Sequence, residues 1–84
     1  KFENISVFPN PATDYFRMDT GEEKFDKLQV TITNIYGNVV LSREFREIGP
    51  GDMPEIRING LPTGQYYLNI GDEKYTRTIR IIKF

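Results

Sequence analysis

Apolar and polar residues alternate with a period of two along most of this 84-residue chain. Such alternation is typical of β-strands with one buried face, since successive side chains of a strand point to opposite sides. Clusters of glycine, proline, asparagine and aspartate separate the runs and favour turns. The pattern predicts about seven short strands and no helix, with strands near residues 5–7, 16–18, 28–33, 39–45, 56–58, 66–70 and 75–83.

Seven short strands in so small a chain indicate an all-β fold, an immunoglobulin-like antiparallel β-sandwich. The chain has no Cys, so the disulfide of antibody domains is impossible. Its length suits one domain, and we expect residues 1–84 to form a single domain cut from a longer protein.

Two proline-containing segments predict rigid corners. Pro9, Asn10 and Pro11 lie between the first two strands, and each proline fixes its own φ and restricts the residue before it. A stiff corner so early is expected to separate the folded domain from a preceding linker. Leu61, Pro62 and Gly64 form a second corner before Tyr66, where Gly64 is expected to need a positive φ; Gly37 marks a turn between two strands.

The charge balance argues against two classes of partner. Eleven Lys and Arg residues face 12 Asp and Glu, a net charge of −1, so no general attraction to nucleic acid or anionic membranes is expected. Residues 74–84 carry four basic residues and no acid, while residues 1–73 carry 7 basic and 12 acidic residues. This basic last strand is either protection of a sheet edge or a docking strand.

Catalytic chemistry is not predicted. Without His or Cys, neither serine has a histidine base, and Cys/His zinc sites are excluded. The acidic stretch between Asp19 and Asp26 could supply oxygen ligands to calcium, but its spacing does not match an EF-hand loop, and a solvated loop is favoured. We therefore expect no enzyme, no metal and no cofactor.

The five tyrosines allow two interpretations. They could provide stacking platforms for sugars or peptides, or most of them could be strand residues packed with an exposed hydroxyl group. The second interpretation is favoured. The residues are Tyr15, Tyr36, Tyr66, Tyr67 and Tyr75.

Four motifs occur in a characteristic order. They are Val-Phe-Pro-Asn-Pro-Ala-Thr-Asp at 7–14, Gly-Asn-Val-Val at 37–40, Leu-Pro-Thr-Gly-Gln-Tyr at 61–66, and Thr-Ile-Arg-Ile-Ile-Lys-Phe at 78–84. In this order and spacing, the chain resembles over nearly its whole length the type A C-terminal sorting domains of the type IX secretion system of the Bacteroidetes. It departs from the family pattern at Asn59-Gly60 and at the terminal Phe84.

The resemblance implies an immunoglobulin-like sandwich at the carboxyl end of a cargo protein. It also implies that the domain is a sorting signal. The cargo is formed by the domains N-terminal to it, which fold in the periplasm and leave it because of this signal. The implied partners are the type IX outer-membrane translocon with its shuttle components, and a sortase-like surface peptidase that usually cleaves the domain near or before Lys1. The cargo would reach the outer-membrane surface or be secreted. The alternative is a carbohydrate-binding or adhesion sandwich appended to a surface protein.

The last strand is the predicted recognition element for the translocon. It is apolar on both faces, with Ile79 and Ile81 on one face and Ile82 and Phe84 on the other. Such a strand is either central or covered by something else. We expect it to be an exposed or detachable strand that the partner reads, formed by Thr78, Ile79, Arg80, Ile81, Ile82, Lys83 and Phe84.

Overall fold

The computed structural model describes residues 4–72 and 74–84, so a cleavage site near or before Lys1 lies outside the described residues. Those residues contain no helix, and hence none long and apolar enough to cross a membrane. Seven strands follow in chain order: β1 (Ser6–Phe8), β2 (Tyr15–Asp19), β3 (Phe25–Thr33), β4 (Val39–Ile48), β5 (Glu55–Arg57), β6 (Gly64–Gly71) and β7 (Thr76–Lys83).

The strands form two sheets, with orders β1-β2-β5 and β4-β3-β6-β7. Every neighbouring pair within a sheet is antiparallel. The predicted all-β fold is confirmed, and the arrangement is consistent with an immunoglobulin-like sandwich. Each predicted strand overlaps an observed one; the largest differences are of three residues, since β3 begins at Phe25 rather than Leu28 and β4 ends at Ile48 rather than Phe45.

The core lies between the two sheets and follows the alternation of the sequence. In β3 the side chains of Leu28, Val30 and Ile32 are buried, while Gln29 between them is exposed. Burial of one face per strand is what fixes the register, because a slip of one residue would expose every apolar side chain. The buried apolar residues are Ile5, Ala12, Phe16, Met18, Phe25, Leu28, Val30, Ile32, Ile48, Ile56, Ile58, Tyr66, Leu68, Ile70 and Ile81.

The second predicted corner is anchored by a tyrosine. The Tyr66 hydroxyl group donates a hydrogen bond to the carbonyl oxygen of Pro62, four residues upstream, and the Leu61 N–H donates to Ile58 O. A tyrosine hydroxyl bound to the nearby upstream backbone is a recurrent feature of immunoglobulin-like sandwiches. Gly64 has a φ of +159°, which is positive as expected although it lies at the border of the extended region.

The hairpin between β3 and β4 turns at Gly37, whose φ of +85° is a left-handed conformation that favours glycine. Asn34 organises the turn: its side-chain Oδ1 accepts hydrogen bonds from the N–H groups of Tyr36 and Asn38. Beyond the turn the register shifts, because Thr33 pairs with Val39 while Ile32 pairs with Leu41, which leaves Val40 as the extra residue of a β-bulge.

Candidate functional site: the terminal strand and the proline corner

The predicted recognition strand, β7, lies at the edge of the four-stranded sheet. Its side chains alternate as expected. Ile81 and Lys83 point inward and are 1% and 8% exposed, whereas Arg80 is exposed and Phe84, just beyond the strand, is 64% exposed. Only the outward side chains are therefore accessible to a partner while the domain stays folded.

The proline corner follows β1 and joins it to β2, as the sequence predicts. A linker before the domain remains a prediction. Both X-Pro peptide bonds, Phe8-Pro9 and Asn10-Pro11, are cis. The corner runs along the free edge of β7, so it lies within the fold and contacts the opposite end of the chain.

Asn10 makes this contact through its side chain. Its Nδ2 donates to the carbonyl oxygen of Arg80 at 2.9 Å, and its Oδ1 accepts from the N–H of Ile82 at 3.0 Å. A carboxamide has one donor side and one acceptor side, as a peptide group does. Because Pro9 and Pro11 have no N–H to donate, the Asn10 side chain replaces the backbone that an ordinary strand would use.

Ala12 continues the pairing through its backbone. Its N–H donates to Ile82 O at 2.8 Å, and its carbonyl oxygen accepts from the Phe84 N–H at 2.8 Å, in a parallel bridge opposite Lys83. The methyl group of Ala12 is completely buried. We call Asn10 and Ala12, with their four hydrogen bonds to Arg80, Ile82 and Phe84, the clasp.

One further contact between the start of the chain and β7 holds the same edge. The Arg77 guanidinium donates from Nη1 to the carbonyl oxygen of Ile5 at 2.8 Å, just before β1. The ammonium group of Lys83, on the inward face, donates to the carbonyl oxygen of Phe84 at 2.9 Å. Residues near the start of the chain thus bind β7 along most of its length, and the strand is not loosely attached.

The outward side of β7 is basic and partly apolar. Arg80 forms no ion pair with any described residue, whereas the ion pairs of Glu55 and Glu44 lie elsewhere, on β5 and β4. Ile82 is half-buried and Phe84 is mostly exposed. An unneutralised guanidinium beside apolar surface suits an acidic or acceptor-rich partner with an apolar contact.

The acidic stretch from Asp19 to Asp26 was the candidate for a calcium site. Within residues 4–72 and 74–84, no three His, Cys, Asp or Glu side chains converge as metal ligands. Asp19 instead uses its Oδ1 to accept a hydrogen bond from the N–H of Gly21 at 2.8 Å, which stabilises the turn.

A shallow groove lies at the end of the sheet where β6 ends and β7 begins, away from the clasp. Its lining includes Asp26, Lys27, Asp72 and Lys74.

The tyrosines do not form a common platform. Tyr66 is buried and Tyr15 and Tyr67 are half-buried strand residues, as the favoured interpretation expects. Tyr36 and Tyr75 are the exceptions, since they lie outside the strands and are 82% and 52% exposed. Tyr36 lies in the β3–β4 turn, and Tyr75 precedes β7 at the opposite end of the sheet.

The corner and the last strand were both predicted from the sequence, but the contact between them was not. Ala12 was not singled out, because an alanine after a proline carries no motif of its own. One feature of the sequence could have indicated the contact: Asn10 lies between two prolines, which have no N–H to donate. The Asn10 side chain is therefore the main hydrogen-bonding group of the corner. Its partners, however, are 70 and 72 residues away.

Comparison with known protein families identifies the family of this chain. The family model described as "Secretion system C-terminal sorting domain" matches residues 6–83, nearly the whole chain. The chain belongs to this family of type IX secretion C-terminal sorting domains. The matched range includes the proline corner and all of β7. No curated protein matches the chain.

Membership gives the sorting domain its general role. It is a type IX secretion sorting signal, and its family is one of sorting signals rather than of catalysts. A cargo domain of this kind is consistent with export to the cell surface or secretion, by way of the type IX system.

Proposed function

We propose that this sorting domain is the carboxyl-terminal address of a cargo protein and is recognised by the type IX outer-membrane translocon and its shuttle components. The cargo, carried as N-terminal domains, folds in the periplasm and crosses the outer membrane because of this address. A sortase-like surface peptidase then removes the domain in the usual case. The family match over residues 6–83 supports the sorting role.

The outward side of the terminal strand is the proposed recognition surface. The observation that carries this proposal is the exposure of Arg80 and Phe84 on a strand whose backbone is held in place by the clasp. A partner that contacts these two side chains can bind the folded domain without displacing Asn10 or Ala12. Direct strand addition at the same positions would first have to break four hydrogen bonds, so we favour recognition with the clasp closed.

Point substitutions test this proposal better than truncation does. Removing the last two residues would also remove the Phe84 N–H that Ala12 binds and the inward Lys83, so a loss of export would be confounded with a loss of stability. The substitutions Phe84→Ala and Arg80→Ala keep every backbone hydrogen bond of the clasp. Met53→Ala is the matched control, since Met53 is also an exposed apolar residue, at 46%, and lies in the loop before β5.

The assay is export of a reporter carrying a signal peptide, a folded enzyme and residues 1–84 in a Bacteroidetes host with an intact translocon. We expect the parent and Met53→Ala to be exported, and the doubly substituted domain to leave most of the reporter in the periplasm at an unchanged urea midpoint. Retention of the parent reporter, while a native cargo is exported by the same cells, would refute the sorting role. Normal export of the double variant would refute recognition through this face.

A further inference from the structure

The tip of the β3–β4 hairpin exposes several large apolar side chains that do not pack against the core. Ile35 and Tyr36 are 61% and 82% exposed, and Val39 and Val40 just beyond the turn are 60% and 38% exposed. No charged residue occurs from position 29 to position 42, although 27% of the chain is charged. An exposed apolar patch of this kind marks an interaction site more often than an accident of composition.

The backbone of the tip is already suited to burial. The N–H groups of Tyr36 and Asn38 bind Asn34 Oδ1 at 2.9 and 3.1 Å, and that of Gly37 binds Asn34 O at 3.0 Å. Asn34 itself donates from its N–H to Asn38 O at 3.0 Å. Polar backbone groups that are paired in advance remove the main cost of moving a turn out of water. Four hydrogen bonds already fix the backbone of the turn, so binding has little further backbone to order.

The size of the patch limits what can cover it. Even an aromatic side chain buries only about 150–250 Å², so these four partly exposed residues together offer at most on the order of 600 Å². A stable interface buries about 800 Å² on each partner, so the tip alone is too small for a flat dimer of this chain. A protruding turn of this size instead suits insertion into a concave socket, in which one aromatic anchor supplies much of the affinity.

Charge distinguishes a protein socket from a lipid surface. Binding of a small apolar patch to an anionic bilayer depends on adjacent Lys and Arg residues. The tip has none between positions 29 and 42, and the whole chain has a net charge of −1. An uncharged anchor matches an uncharged apolar socket, where a carbonyl or carboxamide oxygen can accept the hydrogen bond of the Tyr36 hydroxyl group.

We propose that the β3–β4 hairpin tip is a second contact point of the domain, which inserts Ile35 and Tyr36 into an uncharged apolar socket of a protein partner in the export machinery. The inference rests on the proposed sorting function, which supplies that partner. The tip and the outward side of β7 lie toward the same end of the sheet, because Thr33 pairs with Tyr67 and Tyr67 pairs with Arg80. One partner can therefore contact both.

The test uses the reporter fused to residues 1–84 with three sets of substitutions. The double variant Ile35→Ser/Tyr36→Ser removes the anchor, and Met53→Ser is the matched control at an exposed apolar position outside the tip. Asn34→Asp keeps the acceptor oxygen that Tyr36 and Asn38 bind but places a negative charge at the tip. This third variant keeps the test decisive if the double variant does not fold.

We expect the double variant and Asn34→Asp to be exported at least about tenfold less than the parent, as for loss of an interface hot spot, with Met53→Ser unaffected. A photoreactive benzophenone side chain at position 36 should crosslink in cells to a protein whose deletion also blocks export of the reporter. Equal export of the parent, the double variant and Asn34→Asp would overturn this inference and leave the sorting function standing. A parent that is not exported would overturn the sorting function, and this inference with it.

Two binding experiments on the 84-residue chain exclude the other occupants. We expect no cosedimentation with vesicles of phosphatidylethanolamine and phosphatidylglycerol, and a monomer in sedimentation equilibrium. Vesicle binding that is lost in Ile35→Ser/Tyr36→Ser would assign the tip to a lipid surface and overturn the proposal. A dimer that is lost in the same variant would assign it to a second copy of the chain and overturn it equally.

Discussion

The clasp makes a quantitative prediction for Asn10→Ala. The substitution removes two hydrogen bonds, from Nδ2 to Arg80 O and from the Ile82 N–H to Oδ1. Each intramolecular hydrogen bond contributes about 0.5–1.5 kcal/mol net, so the pair contributes about 1–3 kcal/mol. Asn10 is exposed, and water can replace part of what is lost. We therefore expect the free energy of unfolding to fall by about 1–2 kcal/mol.

The measurement is urea unfolding of the 84-residue chain, with amide hydrogen exchange as a local readout. We expect a lower midpoint with an unchanged m-value, because the surface exposed on unfolding stays the same. The Ile82 amide proton should also exchange faster, since its acceptor is gone. Asn59→Ala is the control: Asn59 is exposed and its side chain binds no described residue, so its effect should stay within about 0.5 kcal/mol. Equal midpoints for the two variants, with unchanged exchange at Ile82, would refute the clasp as a stabilising contact.

Two further substitutions test the core and the second corner. Tyr66→Phe removes the hydrogen bond to Pro62 O, and urea unfolding should show a loss of about 1 kcal/mol; no loss would mean that water serves Pro62 equally well. Thr20→Val should stabilise the domain by about 1 kcal/mol in the same assay, because Thr20 is completely buried and its hydroxyl group has no hydrogen-bond partner among the described residues. A lower midpoint for this variant would contradict that account.

Period-two alternation was enough to predict the strands because each has one face on the core. In β6, for example, Tyr66, Leu68 and Ile70 are buried while Tyr67 and Asn69 between them are only half-buried. The same rule predicted which side chains of β7 share a face, and the structure shows that the face of Ile81 is the inward one and that of Phe84 the outward one. The local pattern was thus enough to predict which residues share a face of a sheet, because successive side chains of a strand point to opposite faces.

The clasp could not be predicted in the same way. Its hydrogen bonds join residues about 70 positions apart, through one side-chain amide and one short stretch of backbone. Neither feature produces a periodic signal. The turn at Gly37 was predicted from the sequence, but the exposure of Tyr36 within it was not, because the pattern does not show which side chains of a turn have a neighbour to pack against.

The edges of the larger sheet are protected by different means. β4 has a bulge at Val40, a left-handed Glu47 with a φ of 55°, and charged residues such as Arg43 between them, which discourage pairing with another chain. β7 is instead covered by the clasp, whose prolines have no N–H to offer to a further strand.

The cover of β7 ties the start of the domain to its last residues. Three of the four hydrogen bonds of the clasp need Ile82 or Phe84, so a chain lacking these residues leaves the corner mostly unpaired and the edge of the sheet open. An open edge is a site for unwanted strand pairing. Under the proposed function, the clasp would thus make the recognition face well ordered only in a domain synthesised through to its last strand, which suits a signal that commits a whole cargo to export.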